Sequence, residues 1–174
     1  TMSNPPPIVN GIPTNGEFST VGTLVVDYGN SSHLICTGTL VKSDVVITAG
    51  HCSQQIEALI FDQEPVYFLL HEEIDLQNHN YNNEVLVIET VTHPEYDSNL
   101  NHDISLVFLE IPLSISGSLI LNVEPDISWQ NKPFIFVGSG NTGEGSGDEG
   151  VMRKTEIPYY DNDEMFHYSI DLTS

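Results

Sequence analysis

The chain has 174 residues, 39% of them hydrophobic, enough for an ordinary globular core. Four Lys and Arg stand against 25 Asp and Glu, a formal net charge of −21, and such a surface repels nucleic-acid phosphates and anionic membranes alike. No run reaches the roughly 18 apolar residues of a membrane span, and no basic-then-apolar signal opens the chain, so it reads as a mature form or one whose leader is omitted.

Residues 1–7, TMSNPPP, predict an extended arm, because proline lacks an N–H and fixes φ. Short apolar runs follow at 23–29, 33–41, 44–48, 65–70, 84–91 and 104–110, with Gly, Asn, Asp or Pro between them. Several alternate apolar and polar residues with period 2, as around Val85 and Val87, and most are rich in Val, Ile, Leu and Phe. No stretch shows a sustained helical period. The reading is all-β, a sandwich or barrel, and the alternation argues against the disorder that acidity could otherwise signal. Residues 116–132 read as a connector across the surface, 134–140 (FIFVGSG) and 151–160 as strands, and 141–150 as a Gly- and acid-rich loop. The last stretch, 161–174, is expected to hold a turn, a short helix and an extended end.

Three features carry chemistry. His51 is the second-last residue of the stretch ITAGHC, where small residues before it leave the imidazole face open to a ligand; a lone histidine of this kind is otherwise structural. Asp103 sits at the mouth of the apolar strand ISLVFLE. It is either a strand-end turn aspartate or, beside a histidine, the group that fixes an imidazole tautomer. Cys36 and Cys52 are two buried thiols in a reducing compartment. In an oxidising one they are a bridge stabilising the fold by about 3 kcal/mol.

The stretches IVNG (8–11), CTGTLV (36–41), ITAGHC (47–52), HPEYDSNLNHDISLVFLE (93–110) and FVGSG (136–140) together resemble the chymotrypsin/trypsin family of serine endopeptidases, in the family's order. The resemblance implies a double β-barrel: the first barrel complete over 8–115, and the second partly represented over 133–174. It implies His51 as general base, Asp103 as its orienter and a Cys36–Cys52 disulfide beside the histidine. It also implies a secreted or periplasmic protein that hydrolyses peptide bonds in protein or peptide substrates through an acyl-enzyme.

The departures are as informative. The family's nucleophile lies in a GDSGGP segment, and residues 1–174 contain none. Ser146 in GEGSGDEG is a decoy in an acidic loop, and Ser139 and Ser174 have no better context. The expectation is therefore a chain that is inactive alone and needs a C-terminal segment carrying the serine. The alternative is a pseudoprotease that only binds. Ile8 would be the new N-terminus if the chain is processed, but Pro7 precedes it where a basic residue is usual, so the chain reads as an uncleaved zymogen. No cofactor is required. Glu72, Glu73, Asp75 and Glu84 offer hard oxygens that suit calcium, or they line a solvated acidic loop. His71 and His79 lack the tight spacing of a zinc site.

Overall fold

The computed structural model describes residues 11–77, 84–114, 132–142, 147–162 and 167–169. The arm 1–7, Ile8, His79, Ser146, Ser174, nearly all of the connector 116–132 and most of 161–174 lie outside the described residues.

Six strands close a barrel: β2 (Val21–Asp27), β3 (Ser32–Lys42), β4 (Val45–Thr48), β5 (Val66–Leu69), β6 (Glu84–Thr92) and β7 (Ser105–Leu109). Their order around it is β2-β3-β4-β7-β6-β5, and antiparallel pairing of β5 with β2, from Thr23↔Leu69 to Val26↔Val66, joins the ends. Closure leaves the sheet no unpaired edge. Bulges between Leu24 and Val25, Leu40 and Lys42, and Val87 and Glu89 supply the bends that a small barrel requires. The period-2 pattern is realised directly: Ser105, Val107 and Leu109 are buried on β7, while Leu106 and Phe108 are only partly so.

The core holds Leu24, Val26, Ile35, Leu40, Val46, Phe68, Val85, Val87 and Val107. Phe68 crosses it against Gly22, where a Cβ would lie 2.5 Å from the ring. Glycine is therefore a packing requirement at this strand position.

One expectation is corrected. Residues 50–61 form a helix, α1 (Gly50–Phe61), where no helical period was read. Its buried residues are Gly50, Cys52, Ser53, Ile56 and Leu59, and of these Cys52, Ile56 and Leu59, spaced four and three residues apart, join the barrel core. The physical reason for the miss is that the stripe is only three turns long and begins inside the His–Cys motif.

A second sheet is built around β9 (Arg153–Asn162), which pairs antiparallel with β1 (Ile12–Pro13), β8 (Pro133–Gly138) and β10 (His167–Ser169). Buried polar contacts tie it to the barrel. Thr23 Oγ1 donates to Ser139 Oγ at 2.8 Å, the Ser139 N–H donates to Thr37 Oγ1 at 3.1 Å, and the Met152 N–H donates to the Glu72 carbonyl at 2.7 Å. The fold is thus mostly β, a closed barrel plus a second sheet.

Candidate active site

The register of the barrel creates the site. Thr48 at the end of β4 pairs with Ser105 at the start of β7. Two residues beyond each strand end, antiparallel geometry brings the start of α1 opposite Asp103. Asp103 is the middle of a tight turn in which the Ile104 N–H donates to the His102 carbonyl at 2.7 Å.

Both carboxylate oxygens of Asp103 are engaged by one residue. Oδ1 accepts the backbone N–H of His51 at 2.8 Å, and Oδ2 lies 2.8 Å from His51 Nδ1. The first bond satisfies an N–H that the helix start leaves without an intrahelical acceptor; Ala49, at the N-cap, provides no side-chain cap. The second fixes the ring and sets Nδ1 as the donor. Nε2 has no hydrogen-bond partner among the described residues. The side chains are 38% (His51) and 22% (Asp103) exposed, so the pair faces outward from the barrel end.

Neighbours absent from the sequence reading hold this geometry. Ser105 Oγ donates to the Ala49 carbonyl at 2.9 Å, clamping the β4–α1 junction to β7. Ser53 Oγ donates to the Gly50 carbonyl at 2.8 Å and lies 2.6 Å from Thr92 Oγ1, tying the first helical turn to β6. Gly50 leaves room for Tyr96: a Cβ there would stand 2.9 Å from the Tyr96 ring and 3.2 Å from Asp103 Oδ1. Desolvation, and then the charge of Asp103, raise the Tyr96 hydroxyl above its ordinary pKa. Tyr96 and Ser105 lie within the string 93–110 that carries the resemblance, but the contacts of Ser105 with Ala49, of Ser53 with Thr92 and of Tyr96 with Gly50 join residues remote in sequence, which no local pattern reveals.

Cys36 on β3 and Cys52 on α1 form a disulfide with Cα atoms 6.2 Å apart, next to the histidine. Cys52 is therefore on a helix rather than a strand. The bridge consumes both thiols, so the cluster Cys36–His51–Cys52 is not a metal site.

The other sequence candidates fall elsewhere. Ser139 is fully buried between the barrel and the second sheet. Glu72 accepts a hydrogen bond from Thr14 Oγ1, Asp75 Oδ1 accepts the Gln77 N–H at 3.0 Å, Glu73 bridges to Val151, and Glu84 opens β6. Residues 78–83 between them lie outside the described residues.

Comparisons with known proteins agree with this geometry. A family model described as "Trypsin" matches residues 8–174. A "Venom serine protease" of Polistes dominula is 30% identical over 105 residues, covering 60% of this chain and 36% of its own. "Trypsin iota" of Drosophila melanogaster is 24% identical over 143 residues, covering 78% of this chain and 53% of its own. The chain thus spans between 36% and 53% of the length of these curated relatives. Among the described residues no helix is long and apolar enough to cross a membrane.

Proposed function

Because the chain belongs to the trypsin family, we propose that it supplies the base and orienting group of a serine endopeptidase, with His51 and Asp103 in those roles. The observation that carries this is the 2.8 Å contact between His51 Nδ1 and Asp103 Oδ2. With Nδ1 committed as a donor, Nε2 is the acceptor nitrogen. As a serine Oγ attacks the scissile carbonyl carbon, its proton passes to Nε2 and the imidazolium is stabilised by the Asp103 carboxylate. The proton then goes to the leaving amine, and a water repeats the sequence to release the acyl group.

The serine in this reading comes from polypeptide outside residues 1–174. The sequence holds no GDSGG segment, and Ser139 is sealed between the two sheets. The substrate is a protein or peptide. The disulfide suits an oxidising compartment, which supports secretion or a periplasmic location.

The test uses a fluorophosphonate probe, which labels an activated serine, and a polypeptide carrying the GDSGG-type segment. The chain alone should not label. The complemented pair should label on the added serine, and His51→Ala should lower that labelling by several orders of magnitude, since these groups act as a unit. Labelling of a serine within residues 1–174 would overturn the division of roles. A complex that forms but never labels would establish a binding module instead.

A further inference from the structure

A second group of potential ligands gathers at the neck of the loop that carries Asp103. His93 follows the last residue of β6, and its N–H donates to the Ile104 carbonyl at 3.0 Å, so both ends of the loop are pinned there. His102 returns along the other side with φ at 51°, in the left-handed region. Its ring stacks on that of His93, with centroids 4.7 Å apart and planes at 11°. Glu95 lies beside both: its N–H donates to His93 Nδ1 at 3.2 Å, and Oε2 stands 3.8 Å from His102 Nε2. One ligand atom from each of the three side chains falls within 4.8 Å of the others.

We propose that His93, Glu95 and His102 form a binding site for a divalent transition metal of the zinc class. Two imidazole nitrogens and one carboxylate oxygen are a donor set that zinc takes, with water completing the tetrahedron. Imidazole disfavours calcium and magnesium, which prefer oxygen alone. The spread of the ligand atoms exceeds that of a closed site, so binding draws them inward. The Glu95 side chain, 73% exposed, is free to swing, and the Nδ1 contact of His93 is a single bond that a metal replaces. The backbone already places the two rings together, so closure needs side-chain rotation alone. A chain of net charge −21 also raises the local concentration of cations. Asp103 is outside the site, because both of its oxygens are used by His51. The site requires no nucleophile and stands whether or not the chain serves a protease.

The test is calorimetric titration of the purified, chelator-treated chain with zinc chloride, and with cobalt chloride followed by visible absorption. We expect one saturable site, a tetrahedral cobalt spectrum and no competition from calcium or magnesium. His93→Gln and His102→Asn should each weaken binding at least about tenfold, as loss of a ligand must if outer-shell changes alone cost 10–100-fold. Asparagine tolerates a positive φ, so the second variant keeps the loop fold, which circular dichroism verifies. His33→Ala, remote from the loop, should bind as the parent does. The proposal fails if no saturable binding occurs, if both variants bind normally, if calcium competes, or if His51→Ala abolishes binding while His93→Gln does not.

Discussion

Asp103 accepts an N–H from the first turn of a helix through one oxygen and contacts an imidazole through the other, so substitutions there separate structure from chemistry. Asp103→Ala removes the acceptor of both His51 bonds and should lower stability by about 1.5–3 kcal/mol, the range for hydrogen bonds to a charged group, read by urea unfolding. Asp103→Asn can keep the cap through its carbonyl oxygen, but its amide then donates to Nδ1. We expect the imidazole to switch to the tautomer protonated at Nε2, which is wrong for a base. Nitrogen NMR of His51 measures this without any substrate; an unchanged tautomer would show that Asp103 does not set it. Gly50→Ala should cost about 1–3 kcal/mol despite alanine's better helix propensity, because its methyl group meets Tyr96 and Asp103. A variant as stable as the parent by thermal unfolding would mean that the Tyr96 ring yields freely. His51 and Asp103 were legible because their flanking residues form distinctive strings. Gly50 was in plain view, but its reason, a tyrosine ring from 46 residues downstream, exists only in three dimensions.

The element that escaped the sequence reading, α1, lacks both local signals that mark a helix. No Ser, Thr, Asp or Asn stands at its start; the acceptor comes from Asp103 across the barrel end. No glycine stands beyond its end either: Gln63 takes the positive φ, 64°, that glycine usually provides. The strands were easier, because alternation within each one reports its buried face directly. The helix is held instead by packing of Ile56 and Leu59 and by Cys52, which bonds its first turn to β3. The disulfide closes a loop with a sequence separation of 16 residues. Its loss in a Cys36→Ala, Cys52→Ala double variant should lower unfolding free energy by about 3 kcal/mol, on the chain-entropy account. If denaturant unfolding shows less than about 1 kcal/mol, packing alone holds α1 against the barrel. In that case hydrogen exchange over residues 50–61 should match the parent.

At the scale of the whole molecule, the acidic surface bears on the barrel through its tyrosines. The all-β class followed from alternation, but the pairing of β5 with β2 that closes the barrel depends on residues 40 to 46 positions apart, from Val26↔Val66 to Thr23↔Leu69, and no local pattern encodes it. That closure sets Tyr67 against Val25, with Glu84, Asp27 and Glu110 near enough to act on its hydroxyl. Desolvation first, and then the charges of those three carboxylates, raise its pKa above the ordinary value of 10.0. Tyr28 is shifted the same way by desolvation and by Glu64. The unfolded chain releases these protons at the lower pH. The stability they contribute is therefore complete below about pH 10 and is lost as pH rises from there through the raised folded values. Urea unfolding at a series of pH values should show a decline that begins near pH 10 in the parent and is shallower in Tyr67→Phe, whatever the starting stability of the variant. Salt separates the two causes. At about 1 M the Debye length falls to about 3 Å, which screens the carboxylates and leaves desolvation untouched. The decline should then move closer to the ordinary tyrosine range without vanishing. Equal slopes for the parent and Tyr67→Phe would show that the tyrosine does not carry the effect.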